Sequence, residues 1–319
     1  MSTVDADGLT PEQLQSFNDN GFLVIPNYLS AAEVQSLLST THSLLDSFSL
    51  DTHPMTRFTT GDDDEKTKHV GDDYFLSSGN KIHFFFEPDA VAPPTSSEGA
   101  PRLLKPKNLA INKIGHALHS LSPPFAAVTI SARNAAIAKS LGFRDPRCLQ
   151  SMVICKQPGI GGSVPPHRDS EFLYTSPPSA VGWWIALQDA TTGNAALGMA
   201  RGSHRGRRGG HIVRRFVRAE GGTTFITNDG QQLPKGQEEE KEMEGGGEEG
   251  GFEVLDVKAG DLVLIHGNVL HESQRNTSEK SRYAYTFHVI EGAEGWTYDE
   301  RNWLQPPAEG FSRLNDAVE

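Results

Sequence analysis

The second half of the chain is a succession of short β-rich segments, and this limits the fold more than any other feature. The segments span residues 149–155, 183–187, 262–266 and 283–290, and clusters of Gly, Pro, Asn and Ser separate them. Several short strands between turn-forming residues are typical of a closed or two-sheet antiparallel fold. We therefore predict a mainly β protein with flanking helices, built on a cupin-like jelly roll, or double-stranded β-helix.

The N-terminal part predicts helices that would pack on this β structure. Thr10 is a candidate N-cap, Pro11 follows it as the first helical residue, and Gln13 can reach back to complete a capping box. The helix that begins here should end at Gly21. A short buried strand is expected over residues 22–25. Ser30 begins a second capping box, which predicts a helix that continues through residue 45.

A further helix is predicted from Ala110 to Leu121, because apolar residues recur there at helical spacing. These residues are Ile111, Ile114, Leu118 and Leu121. Another helical stretch should end after Leu141, since the pair Asp145-Pro146 follows it. We find no internal repeat.

The length allows one large domain or two. Because all-β folds often run long as single domains, we predict one domain over residues 1–319, with 36% hydrophobic residues to form its core. The two cysteines, Cys148 and Cys155, exclude a disulfide framework and suit a reducing compartment. Because they are seven positions apart in a predicted strand, we expect them on opposite faces. The acidic start has no signal-peptide pattern and no apolar run reaches membrane length, so we expect a cytoplasmic protein without a membrane partner.

Half of the net charge of −12 lies in one glycine-rich segment. Residues 238–249 contain seven glutamates and one lysine, and five glycines stand at 245–247 and 250–251. Such a composition cannot bury apolar area, so disorder is predicted for about residues 230–251, as it is for residues 1–8. The segment is either an inert insertion between strands or an acidic loop that binds a partner.

Metal chemistry is suggested by His167-Arg168-Asp169, which follows Pro165-Pro166. If these prolines open a strand, His167 and Asp169 point to the same face, so that an imidazole and a carboxylate converge on one ion. A second imidazole would complete a set of two histidines and one carboxylate. That set leaves three positions of an octahedron open, which is typical of non-haem Fe(II) oxygenases.

Several of the twelve histidines could supply the second imidazole. His271 stands at the start of a β segment, and His266 ends the preceding one. His116 and His119 would share a face of the predicted helix, either as ligands or as ordinary surface residues. A His-Glu-x-x-His zinc motif is absent from the sequence, and Tyr174 replaces the asparagine that a kinase His-Arg-Asp loop requires.

Arg282 heads an alternating segment in which Ala284, Thr286 and His288 share its face, while tyrosines and phenylalanine occupy the other. A guanidinium that points inward needs a buried anion, because an unpaired buried charge is very costly. The anion is either a carboxylate of the protein or the distal carboxylate of a dicarboxylic cosubstrate held bidentately.

With these motifs in view, the chain resembles the phytanoyl-CoA dioxygenase family of Fe(II)/2-oxoglutarate oxygenases. The likeness runs through nearly the whole length as short matches in a constant order. They lie at residues 19–24, 74–79, 81–87, 111–119, 165–169, 202–204, 264–267, 285–288 and 302–306. The fold that this resemblance implies is the double-stranded β-helix of these oxygenases.

The resemblance also implies roles for individual residues. The iron ligands would be His167, Asp169 and His271, with His266 as a histidine that does not bind the metal. Arg282 would bind the C5 carboxylate of 2-oxoglutarate. Other contacts to 2-oxoglutarate would come from Lys113, Met152, Trp184 and Ser273. For Met152 and Trp184, plain core packing is the alternative.

The implied reaction uses Fe(II), O2 and 2-oxoglutarate, with ascorbate as an optional reductant, and yields succinate, CO2 and a hydroxylated small-molecule or acyl substrate. Arginines between 201 and 218 either cradle phosphates or balance the acidic loop; nucleic acid is not an expected partner. The competing hypothesis is a metal-binding, cupin-like pseudoenzyme that acts through its acidic loop. Loss of Arg282 or Lys113 would support it, and both residues are present.

Overall fold

A computed structural model describes residues 8–51, 53–57, 72–92, 101–205, 212–228 and 251–316. The acidic segment predicted at about 230–251 therefore lies outside the described residues except at its end. The same holds for the predicted disordered N-terminus, except that Gly8 is described and is buried.

Most of the described helices come before the main run of strands in the chain, as the sequence predicts. The described helices are α1 (Pro11–Asn20), α2 (Ala31–Ser47), α3 (Asp73–Leu76), α4 (Leu118–Leu121), α5 (Pro123–Thr129), α6 (Ala132–Ser140) and α7 (Asp169–Phe172). Both predicted capping boxes are confirmed, at Thr10 with Gln13 and at Ser30 with Glu33. Within the described ranges, no helix is both long and apolar enough to span a bilayer.

Strands form the rest of the framework. They are β1 (Phe22–Ile25), β2 (Ile82–Phe86), β3 (Val91–Ala92), β4 (Arg102–Leu103), β5 (Ile111–His116), β6 (Pro146–Ile154), β7 (Val164–His167), β8 (Thr175–Ser176), β9 (Val181–Ala186), β10 (Leu197–Met199), β11 (Arg214–Ala219), β12 (Gly222–Thr227), β13 (Glu253–Leu255), β14 (Leu262–His266), β15 (His271–Ser273), β16 (Ala284–Glu291), β17 (Thr297–Tyr298) and β18 (Ser312–Arg313).

Two antiparallel sheets make the predicted jelly roll. The major sheet has the order β1-β14-β9-β16-β6-β5-β2, with β18 also paired to β6, and the minor sheet has the order β13-β10-β15-β7. Tyr283, just before β16, and Tyr285 and Phe287 on one face of the strand enter the main apolar core, where residues of α2, α5 and α6 also pack. The opposite face, with Thr286 and His288, lines a cavity between the sheets. The period-2 alternation predicted for this segment is confirmed.

The predicted helix from Ala110 to Leu121 is wrong over its first half. Residues Ile111–His116 form β5, which pairs with β2 and β6, and only Leu118–Leu121 are helical. All six residues of β5 are buried, so the strand lacks the polar alternation that would have revealed it. Tertiary pairing overrides a local pattern that fits a helix equally well.

The cysteines also depart from their predicted arrangement. In the pairing of β6 with β16, His288 is opposite Gln150 while Val289 is opposite Cys148, so Leu149 is an extra residue in a β-bulge. The bulge reverses the alternation, and Cys148 and Cys155 both enter the main core instead of opposite faces. Both are free thiols, in agreement with the absence of a disulfide framework.

Asn134 ties α5, α6 and the loop after β1 together. Its amide nitrogen donates to the carbonyls of Val128 and Thr129 at 2.8 and 2.9 Å, and its amide oxygen accepts from the Tyr28 hydroxyl. Asn134→Ala removes all three hydrogen bonds; the Val128 carbonyl keeps the Ser131 hydroxyl at 3.2 Å, whereas the Thr129 carbonyl and the Tyr28 hydroxyl lose the Asn134 amide, at about 1–3 kcal/mol each. We expect the free energy of unfolding, measured in urea, to fall by about 3–5 kcal/mol in total.

Asn108→Ala is the control for this measurement. The side chain of Asn108 bonds to Asp46 at the exposed surface, so its loss should change the free energy of unfolding by less than about 0.5 kcal/mol. An equally small effect of Asn134→Ala would contradict the structural role given to Asn134.

Candidate metal centre

Strand pairing in the minor sheet brings His167 and His271 together although they are far apart in sequence. His167 ends β7 and His271 begins β15, and the two residues are direct partners in the antiparallel register. Their ring centroids lie 4.2 Å apart. This pairing is the means by which the fold assembles two imidazoles at one point.

Asp169 reaches the same point by a different route from the one predicted. Strand β7 stops at His167, and Asp169 is the first residue of α7 instead of the next inward position of a strand. Its Oδ1 lies 3.6 Å from Nε2 of His167 and 3.7 Å from Nε2 of His271. Donor atoms that share one ion at about 2.1 Å lie no more than about 4.2 Å apart, so these separations fit a common ion.

The two histidines present the nitrogen that a metal needs. Nδ1 of His167 bonds to the carbonyl of Pro165 at 2.9 Å, and Nδ1 of His271 bonds to that of Val269 at 3.1 Å. A carbonyl fixes the proton on Nδ1 and leaves Nε2 as the ligand atom. Burial lowers the pKa of His271 to about 4, which keeps the ring neutral.

The surroundings of Asp169 favour an ionised carboxylate. Burial by itself would raise the pKa of Asp169, but its electrostatic interactions with the neighbouring imidazoles, of which that of His288 is the largest, outweigh burial. The pKa of Asp169 is therefore well below its ordinary value. Among the described residues, the group of His, Cys, Asp and Glu able to hold an ion is His167, Asp169 and His271, with ligand atoms within 4.8 Å of one another.

The competing histidines lie elsewhere. The ring of His266 is tilted against His204 at 5.0 Å, and its Nδ1 accepts from the amide of Asn268. His116 ends β5 and bonds to Ser78, whereas His119 lies in α4 and bonds to Ser151. The prediction that His116 and His119 share a helix face is thus wrong, because a strand ends between them.

A cavity of about 170 Å³ extends from the three candidate ligands across the major sheet. Its floor consists of successive cross-strand rows on β6, β16 and β9. Met152, Thr286 and Trp184 form one row, and Gln150, His288 and Gly182 form the next. Arg282 lines the cavity just before β16 begins, beyond the first row. The cavity therefore has two ends: Arg282 lies at the end beyond the first row, and His288 lies toward the other end, in the second row.

Arg282 has the properties of an anion-binding group. It is only 1% exposed, its Nε and Nη2 donate to the carbonyl of Ala195 at 3.1 and 2.8 Å, and it lies over the ring of Trp184. Burial lowers the pKa of Arg282 to about 9. Within the described part of the chain, Arg282 forms no ion pair and its buried Nη1 has no hydrogen-bond partner. Of the two anions expected from sequence, a protein carboxylate is therefore not found beside it among the residues that the structure describes.

The remaining predicted contacts line the same end of the cavity. Lys113 and Met152 come from β5 and β6, with Lys113 Nζ 3.9 Å from the Met152 sulfur. Trp184 lies on β9 and Ser273 on β15, and both are buried against the cavity. Burial lowers the pKa of Lys113 to about 7, although the charge of Glu87 raises it. A dianionic ligand fits these two cationic side chains, and the orphaned Nη1 of Arg282 offers it a donor.

The other end of the cavity is mainly aromatic, and sequence analysis missed it. Phe75 stacks on Trp303 with centroids 4.4 Å apart, and Phe172 packs against Phe216 at 5.3 Å. These four rings line the cavity. They come from α3, α7, β11 and a loop near the C-terminus, so no local pattern connects them. Four polar side chains also line this region: His116, Gln150, Arg214 and His288.

The arginines between 201 and 218 serve structural contacts wherever the structure describes them. Ion pairs join Arg201 to Glu253, Arg205 to Asp19, Arg214 to Glu171 and Arg215 to Asp299. Arg218 donates to the carbonyls of Trp303 and Leu76. These contacts engage the described arginines within the fold, which argues against a phosphate-binding cradle; the partners found lie outside the acidic loop, so the expectation that the arginines balance that loop stays a prediction.

A jelly roll that brings two imidazoles and one carboxylate to a single point, beside a cavity with buried cations, has the arrangement of the non-haem iron oxygenases. Sequence comparison makes the assignment specific: the profile of the family described as phytanoyl-CoA dioxygenase (PhyH) matches residues 17–284. The chain belongs to the phytanoyl-CoA dioxygenase family, and it is a dioxygenase.

Individual relatives agree over almost their full length. A phytanoyl-CoA dioxygenase of Arabidopsis thaliana is 41% identical over 297 residues, covering 93% of this chain and 94% of the relative. Phytanoyl-CoA dioxygenase domain-containing protein 1 of Bos taurus is 41% identical over 302 residues, covering 94% and 96%.

Solved structures support the fold. EctD from S. alaskensis in its apoform superposes with a TM-score of 0.59 at 20% identity, covering 99% of this chain and 89% of EctD. The epimerase SnoN, solved in complex with Fe3+, alpha ketoglutarate and nogalamycin RO, gives 0.57 at 14% identity, covering 94% and 91%. At these identities the likeness establishes the jelly-roll fold.

Proposed function

We propose that this dioxygenase couples the oxidative decarboxylation of 2-oxoglutarate to the hydroxylation of an apolar small-molecule or acyl substrate. The overall reaction takes 2-oxoglutarate, O2 and a substrate C–H bond, and gives succinate, CO2 and the corresponding C–OH. The observation that carries the proposal is the convergence of His167, Asp169 and His271 at the edge of a cavity that also holds a buried arginine without an ionic partner among the described residues.

In this proposal, His167, Asp169 and His271 hold Fe(II), which supplies the activation of O2 that no side chain can provide. The protein's part is to present Nε2 of each histidine and an ionised carboxylate. The backbone carbonyls behind His167 and His271 and the low pKa of Asp169 support this assignment.

Arg282 and Lys113 are proposed to neutralise 2-oxoglutarate, with Arg282 bound to its C5 carboxylate. A planar guanidinium can donate two parallel hydrogen bonds to a carboxylate. The partly unsatisfied guanidinium at a cavity wall supports this role. Met152, Trp184 and Ser273 would complete the wall around the carbon chain, and the aromatic end of the cavity would take the apolar part of the prime substrate.

The pseudoenzyme hypothesis predicts a site that has lost its cosubstrate groups. Arg282 and Lys113 both line the cavity beside the candidate ligands, which favours an active enzyme. The acidic segment on which the alternative depends lies outside the described residues.

The proposal predicts slow, metal-dependent conversion of 2-oxoglutarate to succinate even without prime substrate. Chelation with EDTA should abolish succinate formation, and added Fe(II) should restore it. Zn(II), which has no redox chemistry, should not. Succinate and 2-oxoglutarate would be measured by mass spectrometry in air and under anaerobic conditions. Succinate formation that is unaffected by EDTA or O2 would contradict the proposal.

Prime substrates can be sought with the same assay. A true substrate should accelerate succinate formation and gain one oxygen atom, because its oxidation is coupled to decarboxylation. Apolar carboxylic acids and their CoA thioesters, tested in matched pairs, would decide whether the thioester is required.

A further inference from the structure

His288 lies against the candidate metal site without belonging to the three ligands. It projects from β16 into the cavity, is 8% exposed, and its Nε2 lies 3.3 Å from Oδ2 of Asp169. The other oxygen of Asp169, Oδ1, is the one that faces His167 and His271. The two oxygens of one carboxylate are therefore directed to different partners.

Gln150 is the second member of this arrangement. It is opposite His288 in the β6–β16 register, and its Nε2 lies 3.3 Å from Nδ1 of the His288 ring. An ionised carboxylate can only accept, so Nε2 of His288 must carry the proton that points to Asp169. In a neutral ring, Nδ1 then accepts, and the amide nitrogen of Gln150 is the donor that suits it.

Gly182 makes room for this contact. It pairs with His288 across β9 and β16. A Cβ at position 182 would stand 3.2 Å from Oδ2 of Asp169 and 3.5 Å from two atoms of the His288 ring. A side chain at position 182 would therefore crowd both groups, and glycine leaves room for the imidazole and the carboxylate to approach each other.

We propose that His288 is a positioning residue, which holds Asp169 through Oδ2 so that only Oδ1 is offered to the metal, and that Gln150 orients its ring. The inference rests on the proposed function, since it concerns the same metal site. A carboxylate bound through both oxygens would occupy two metal positions. Restricting Asp169 to one oxygen preserves the three open positions that a bidentate cosubstrate and O2 require.

The test measures the binding of Co(II), an air-stable substitute for Fe(II), to the full chain by its visible absorption. His288→Asn places an amide near Nδ1 and stops short of Asp169, whereas His288→Gln extends an amide to the position of Nε2. We expect His288→Asn to weaken Co(II) binding by about 10- to 100-fold, the usual effect of losing a partner behind a metal ligand. His288→Gln should recover most of that loss.

Two further readouts separate positioning from general damage. His288→Asn should alter the absorption spectrum of bound Co(II), because both oxygens of Asp169 are then free to bind the ion. His119→Asn removes another buried imidazole close to β6, bonded to Ser151, and should leave Co(II) affinity and spectrum unchanged. Equal Co(II) affinity in the wild type and His288→Asn would overturn the proposal, as would equal losses in His288→Asn and His119→Asn.

Succinate formation by the wild type distinguishes this inference from the proposed function. If the wild type binds Co(II) but its Fe(II) form makes no succinate, the proposed function fails and the Co(II) affinities still decide the role of His288. If succinate is formed and the His288 variants bind Co(II) as the wild type does, the positioning role fails and the proposed function stands.

Discussion

Alanine in place of His167 or Asp169 is expected to abolish the Fe(II)-dependent formation of succinate. Each variant removes one of three groups whose donor atoms lie within 4.8 Å of one another. Losing a partner behind a ligand already costs about 10- to 100-fold, so losing a ligand should cost more than about 100-fold. The effect should appear in both succinate yield and Fe(II) affinity, measured by equilibrium dialysis under anaerobic conditions.

His266→Ala is the control for this experiment. His266 was the competing candidate for the second imidazole, but its ring packs against His204 and not at the cluster. Folded His266→Ala protein should therefore retain Fe(II) affinity and turnover. Unchanged turnover in His167→Ala or Asp169→Ala would exclude that residue as a metal ligand.

Arg282→Ala is expected to raise the 2-oxoglutarate concentration required for turnover while leaving the metal bound. Removing one partner of a buried, hydrogen-bonded charge pair costs about 2–5 kcal/mol, which is about 30-fold to several thousand-fold in affinity. Arg282→Lys should recover only part, because an ammonium cannot reproduce the planar fork. The measurement is titration of 2-oxoglutarate into the Fe(II)-loaded protein under anaerobic conditions.

Arg215→Ala provides the matched control. Arg215 is also buried, but it is paired with Asp299. Its loss should lower thermal stability without changing the affinity for 2-oxoglutarate. If Arg282→Ala behaves like Arg215→Ala, with reduced stability and normal affinity, Arg282 does not bind the cosubstrate.

The helix caps and the strand alternation could be predicted from sequence, because each depends on residues that are close together in the chain. The caps at Thr10 and Ser30 and the alternation through β16 follow from near neighbours and are confirmed. The helix predicted over Ile111–His116 is wrong because a strand buried on both faces shows no alternation of polar and apolar residues. The bulge at Leu149 depends on the partner strand, so the positions of the cysteines could not be derived from spacing.

In the candidate site, too, the residue types could be predicted from sequence, whereas their positions depend on the fold. The residue types of His167 and Asp169 were visible in sequence, but their convergence depends on a register and on a helix start that only the fold determines. His288 was placed on the inward face without a role. The contact of Gln150 with His288 could not be predicted from sequence, because the two residues become neighbours only when β6 and β16 pair.

With the proposed ligands, the register that pairs His167 with His271 would also link metal supply to folding. Since β7 and β15 are distant in sequence, the unfolded chain does not hold these imidazoles together, and an ion binds the folded state preferentially. A metal present at about 100 times its dissociation constant would stabilise the folded chain by about 2.7 kcal/mol. Iron scarcity would then lower the population of folded protein as well as the activity of each molecule, so that turnover of the chain by proteases becomes coupled to the supply of its metal.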